Sequence, residues 1–232
     1  MSISLPCYLA MTAEELFSCK TVPKHLAWLD CHFALYQKGL SGLPHILPPK
    51  AMLVLTDRVS LSGHDPMIVC RQLKELYQIL DCESILLDLQ QPPAELSRNI
   101  VQTLCRELSC PVAVTTAYAD CSDGPVFLSP PPLWVRLEDH LRPWQGRSVW
   151  LEAALDEAVI TVTSEAASVS TLPCFGTPSF SDPDLFCGYN LTVLDDQIRV
   201  ELFRKKEHLE NLLDRANALG VARAVGLYQQ LK

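Results

Sequence analysis

Asp88 and Gln90 stand at the end of the apolar run 84–89, where a carboxylate needs a physical reason to be. Burying it unpaired is expensive, so it requires a partner or a water-filled opening. Other apolar runs end in polar residues too. Thr12 and Glu14 follow the first, Asp30 and His32 fall in the second, and Asp57 and Arg58 follow the third. Tyr118 and Asp120, then Glu152, then Tyr228 and Gln229 stand in the same relation to later runs. If strands deliver these ends to one place, the carboxylates raise each other's pKa and can do acid–base work. Asp88, Gln90 and Glu152 are then the catalytic candidates. Asp30, His32, Asp57, Arg58, Tyr118, Tyr228 and Gln229 are the candidates for holding a substrate. Each has a plain structural reading beside it. Asp88 can be half of an ion pair, His32 an ordinary hydrogen-bonded strand residue, and Asp57-Arg58 a loop pair worth little. Glu152 faces an opening only if its strand ends there. Arg204-Lys205-Lys206 reads as a solvated face, and Pro130-Pro131-Pro132 as a stiff exit from a strand.

The elements that must position these residues are legible as short apolar runs at 7–11, 26–35, 51–56, 84–89, 112–116, 126–128, 148–154 and 222–228. Between them lie helical patterns. The sequence His64-Asp65-Pro66 supplies an N-cap and a proline at the first helical position, before Ile68, Leu73, Leu76 and Leu80. Leu96, Ile100, Leu104 and Leu108 recur every four residues, and a helix over 205–219 stops at Gly220. Runs apolar on both faces and separated by helices imply a parallel sheet. Eight such steps in 232 residues match a small (β/α)8 barrel, whose typical size is about 250. An open, doubly wound sheet is the competing architecture. Only about ten residues separate the fifth and sixth runs, enough to return about 33 Å extended but not as a helix. A crossover helix is therefore expected to be missing there, and another across 39–50. The stretch 157–204 breaks the rhythm and reads as an inserted β segment, with a hairpin turning at Asp195-Asp196. The expectation is one α/β domain over 1–232, a TIM-like barrel with that insertion before its last helix and strand.

Composition narrows the function classes. Apolar residues make up 48% of the chain and no block of like charge is long, which excludes disorder. A net charge of −8 argues against nucleic acid and anionic membranes as partners. The N-terminus lacks the basic and apolar regions of a signal peptide, and no apolar run approaches the ~20 residues of a membrane helix. Ten cysteines contain no CxxC pair, so free thiols in a reducing, cytoplasmic setting are expected, with no metal site. Asn190-Leu191-Thr192 fits the glycosylation pattern, without meaning in an unexported chain. GxGxxG, Walker, HExxH and GxSxG patterns are all absent, and no cofactor is indicated.

Two stretches carry a resemblance. Glu83-Ser-Ile-Leu-Leu-Asp88-Leu-Gln90 resembles the fourth-strand signature Asp-Gly-x-x-x-Asp-x-Glu of family 18 glycoside hydrolases, the chitinase and spore-cortex-lytic type. The tail, from the hairpin at 191–203 through the helix to Tyr228, is similar to that family's inserted β segment, last helix and eighth strand, which usually ends in Trp. The resemblance implies a barrel binding a sugar-like small molecule or oligosaccharide. In the family the glutamate protonates the leaving oxygen, and the aspartate two residues earlier orients the substrate's N-acetyl group. Asp88 matches that aspartate, but the acid's position holds Gln90. An amide has no proton to give, and losing general acid catalysis costs about 10²–10⁴-fold. Glu83 and Ser84 are further departures. Three readings follow: a catalytically impaired barrel that binds sugar, a divergent hydrolase using Glu152 or Asp57 as its acid, and a non-catalytic interaction protein.

Overall fold

The computed structural model describes residues 4–36, 38–58, 61, 63–170 and 177–232. Cys174 of the ten cysteines lies outside them, and the nine described are free thiols. In chain order the first half holds β1 (Cys7–Met11), α1 (Ala13–Ser18), β2 (Leu26–Trp28), β3 (His32–Phe33), β4 (Leu40–Ser41), β5 (Met52–Thr56), α2 (Pro66–Ile79), β6 (Ser84–Asp88) and α3 (Glu95–Glu107). Then come β7 (Val112–Thr115), β8 (Val126–Leu128), α4 (Leu137–Leu141), β9 (Val149–Glu152), β10 (Asp156–Thr163) and β11 (Ala167–Ser170). The last are β12 (Phe180–Asp182), β13 (Cys187–Val193), β14 (Gln197–Arg204), α5 (Lys206–Ala218), β15 (Arg223–Leu227) and α6 (Tyr228–Leu231).

Eight parallel strands, β1, β2, β5, β6, β7, β8, β9 and β15, pair in that order, and β15 returns to β1 to close a barrel. This decides against the open sheet. The eight apolar runs are the eight barrel strands. Between β7 and β8 a single 3₁₀ stretch, Thr116–Cys121, replaces a helix, and the short β3–β4 hairpin occupies the other helix-poor crossover. Asp65 caps α2 through its side chain, accepting from the Met67 amide at 2.8 Å, and Pro66 opens the helix. Among the described residues no helix is long and apolar enough to cross a membrane.

Period-two alternation sorts the strand residues into two cores. Tyr8, Ala10, Ala27, Met52, Val54, Leu86, Ala113, Phe127, Trp150 and Val225 fill the barrel interior, with small and large side chains interleaved. The opposite faces, including Leu53, Leu55, Ile85, Leu87, Val112 and Val114, pack against Val69, Leu73, Ile100 and Leu104 of α2 and α3. The insertion is larger than a hairpin. It is a five-stranded antiparallel sheet in the order β11-β10-β14-β13-β12, with the expected hairpin as β13–β14.

Candidate functional site

Ser84, Leu86 and Asp88 share the inward face of β6, so the alternation that buries Leu86 aims the Asp88 carboxylate into the barrel mouth. Glu152 follows Trp150 by the same rule on β9. Together with Gln90 they line a recess of about 80 Å3 whose floor and walls include Val54, Leu86, Phe127, Val225 and Leu227. The Gln90 side-chain amide donates to Asp88 Oδ1. Burial pushes the Asp88 carboxyl above its ordinary 3.8; the Gln90 hydrogen bond opposes this, and the Asp57 charge adds to it. Burial likewise raises Glu152 above 4.5, reinforced by the Asp88 and Asp156 charges. The recess thus holds two carboxyls that resist ionisation and one amide between acceptor and opening.

Gln90 sits where it does because the segment after β6 is clamped. Asp57, only 6% exposed, accepts the Gln90 amide at 2.9 Å and the Gln91 amide at 2.7 Å, one on each carboxylate oxygen. Its own carbonyl accepts from Gln91 Nε2 at 2.8 Å. Thr115 Oγ1 donates to the Leu89 carbonyl at 3.1 Å, and the Tyr118 hydroxyl to the Gln91 carbonyl at 3.4 Å. Asp57 and Tyr118 are therefore supports of the Gln90 loop. Tyr118 is fully buried in the outer core, because the 3₁₀ stretch turns its ring toward α3 and away from the mouth. Asp57 is no loop partner of Arg58, whose side chain is exposed.

The remaining candidates are spread around the rim and beyond it. Asp30 Oδ2 accepts from the Ala13 amide at the start of α1 at 2.7 Å, and its carbonyl lies 2.6 Å from His32 Nδ1. Both side chains are half-buried and engaged in this local turn. Tyr228 and Gln229 do not reach the mouth. Tyr228 opens α6 and packs on the outer core, its hydroxyl 3.6 Å from Cys19 Sγ, and Gln229 hydrogen-bonds Glu15 of α1. Leu227 takes the rim position instead, since Val225 and Leu227 share the inward face of β15. Arg204 also departs from its sequence reading as a solvated residue. It is 1% exposed, its Nη2 donating to the Pro131 carbonyl at 3.0 Å, because the end of β14 is buried on both faces, Leu202 and Phe203 with it. The run of three cations at 204–206 hid this burial in the sequence. Among the described residues no group of three or more His, Cys, Asp or Glu side chains converges as metal ligands would.

No family model matches the chain, and no curated protein matches it. Solved structures do. The C-terminal domain of a putative chitinase from Desulfitobacterium hafniense superposes with a TM-score of 0.58 at 9% identity, over 97% of this chain and 94% of that one. The chitinase-like agglutinin of Robinia pseudoacacia gives 0.57 at 9% identity, over 94% and 93%. The spore cortex-lytic enzyme SleL of Bacillus cereus gives 0.50 at 8%, over 97% and 71%. The fold is the closed, eight-stranded parallel barrel that these structures share. At these identities the shared property is the backbone architecture, which places β6 as the fourth barrel strand and puts Asp88 and Gln90 at its C-terminal end. The departures at Glu83 and Ser84 fall at the opposite end of that strand, on the barrel floor, where Glu83 pairs with Arg223 at 2.9 Å.

Proposed function

We propose that this protein is a family 18-like barrel that binds a sugar-like ligand at the mouth around Asp88, Gln90 and Glu152, with hydrolysis impaired. The observation that carries the reading is Gln90: a clamped amide, bonded to Asp88, at the position of the family's proton donor. Gln90 can donate a hydrogen bond to a glycosidic or carbonyl oxygen but has no proton to transfer. The likeness to an agglutinin described as chitinase-like supports a binding role on this fold. The lining supports this ligand chemistry: carboxyls and an amide over an apolar floor suit a sugar's alternation of hydroxyl and C–H faces, and a recess of about 80 Å3 admits only an edge of the ligand.

The test is thermal unfolding of wild type and Asp88→Ala with N-acetylated oligosaccharides, followed by a turnover assay. A ligand at 100 times its dissociation constant stabilises by about 2.7 kcal/mol, a shift of several degrees for a chain this size. The expected result is a wild-type shift that falls in Asp88→Ala, with no turnover, and trace hydrolysis restored by Gln90→Glu. An equal shift in both proteins would remove the ligand from the mouth.

A second reading is favoured by one observation: Glu152 is held toward its protonated form by burial and by Asp88. A carboxyl in that state can act as a general acid from a neighbouring strand. Turnover by the wild type, with a bell-shaped pH profile abolished in Glu152→Gln, would establish this reading in place of the first. Asp57 is unsuited to the role because loop amides occupy both its oxygens.

A further inference from the structure

The strand registers of the inserted sheet gather its apolar residues on one face, since directly opposed residues of antiparallel strands point the same way. Ala158, Ile160 and Val162 of β10 stand opposite Leu202, Val200 and Ile198 of β14. Those three stand in turn opposite Tyr189, Leu191 and Val193 of β13. Val169 of β11 faces Ile160, and Phe180 of β12 faces Tyr189, so both edge strands continue the same surface. The other face holds the buried Val159 and Phe203 near the barrel, then Thr161, Arg199, Glu201, Asn190 and Thr192. That second face is polar where it meets water, as an antiparallel sheet's solvated side should be. The first is not.

The barrel covers only the near end of the apolar face. Ala158, Cys187 and Leu202 are buried there with Leu133, from the loop after β8. The charged residues of this face, Asp156, Asp182 and Arg204, also lie at that end. Further out, Val162, Val169, Phe180, Leu191, Val193 and Ile198 are exposed, from 38% for Val162 to 69% for Val193. The Phe180 and Tyr189 rings stack with centroids 5.2 Å apart. A Cβ on Gly188, on the opposite face, would meet Pro178 and His208, so the chain reaches β12 from the α5 side. With the half-buried Ile160, Tyr189 and Val200, the outer face presents roughly 600 Å2 of apolar surface, the upper end of what a monomer leaves exposed. Two such faces pressed together would bury roughly 1,200 Å2 before any rim residue is counted, which reaches the size of specific interfaces.

We infer that this outer apolar face of β10, β13 and β14 is a dimer interface, on which a second copy of the chain docks face to face. A two-fold contact sets a patch against its own image, and an uncharged face of branched side chains meets no like charge there. Sheet faces of this kind interdigitate about 10 Å apart, as in a sandwich. The turns at the far end carry Glu165, Asp195 and Asp196 and no cation, which disfavours an anionic lipid surface. A two-fold axis across the strands sends the two acidic ends in opposite directions. The inference does not rest on the reading of the mouth.

The test is analytical ultracentrifugation of the full chain, with reductant present, from about 1 to 200 μM, the range in which an interface of modest size associates. The expected result is a reversible monomer–dimer equilibrium that persists in high salt, because no charge pair holds it. Leu191→Lys/Val193→Lys alters exposed side chains and places four cations in the interface, which should weaken association at least about a hundredfold. Thr192→Lys, between them on the polar face, should leave it unchanged. Leu191→Thr/Val193→Thr keeps strand propensity and should still weaken association at least about tenfold, with the far-ultraviolet circular dichroism of wild type. A wild type that stays monomeric throughout, a dimer that salt dissociates, one indifferent to both double variants, or one equally disrupted by Thr192→Lys would each overturn the proposal.

Discussion

Asp88 and Glu152 are held above their ordinary pKa values chiefly by burial in the mouth, with a contribution from facing charges. The folded protein therefore binds more protons at these sites than the unfolded chain between the ordinary values, 3.8 and 4.5, and the raised ones. Stability from this pair is full below that window and is lost as pH rises through it. Glu152→Gln removes one charge and relieves Asp88, so the variant should be more stable than wild type at neutral pH, with the gain fading below about pH 4.5. Urea unfolding at pH 4 and pH 7 reads the difference, and an equal midpoint change at both pH values would contradict the assignment. Asp57 plays a different part, each of its carboxylate oxygens accepting a backbone amide of the loop after β6. Asp57→Ala should lose about 1.5–3 kcal/mol, as hydrogen bonds to a charged group do, and should release Gln90 from its position. A variant as stable as wild type would mean that the loop holds without this clamp.

At the scale of elements, Gly226 on β15 stands beside the mouth in close approach to its neighbours. A Cβ there would meet the Ala153 carbonyl at 2.3 Å and Leu231 Cδ1 at 2.5 Å. The backbone contact cannot be relieved by rotating a side chain, so Gly226→Ala should destabilise by about 1–3 kcal/mol and part β15 from β9. Denaturant unfolding measures it; a change under about 0.5 kcal/mol, the range of neutral surface substitutions, would mean that the strands can separate there freely. The eight strands were readable in advance because parallel strands buried on both faces leave unbroken apolar runs, as Leu53–Leu55 and Ile85–Leu87 do. Asp88 and Glu152 were readable for the same reason, since period two carries a polar end inward after Leu86 and Trp150. What periodicity does not encode is what happens after a strand stops. Tyr118 turned into the core with a 3₁₀ stretch, Tyr228 swung outward into α6, and Asp57 bonded to amides 33 and 34 residues away. Each depends on tertiary partners that no local pattern names.

The molecule as a whole is closed at the barrel floor, by a network whose members come from distant parts of the chain. Arg223 at the start of β15 pairs with Glu83 at 2.9 Å and donates to Ser84 Oγ at 2.6 Å. The Tyr8 hydroxyl of β1 donates to the same Glu83 carboxylate, and burial with that bond pushes the phenol upward. The guanidinium lies 4.8 Å from the Trp150 ring centre and 5.4 Å from that of Tyr8, near enough for both rings to share its charge. One cation thus joins β1, β6, β9 and β15, across the seam where the first and last strands meet. Closure removes the free edges an open sheet would leave, so the floor should act as one unit. Arg223→Met and Glu83→Gln should each cost about 2–3 kcal/mol, below the ~3–5 of a fully buried pair because both side chains keep some exposure. Together they should cost less than their sum, with a coupling of about 1–2 kcal/mol, within the range for residues in direct contact. A double-mutant cycle by urea unfolding decides the matter. Strict additivity would show that the barrel is held closed by its strand ladders and cores alone, with the floor cation a passenger.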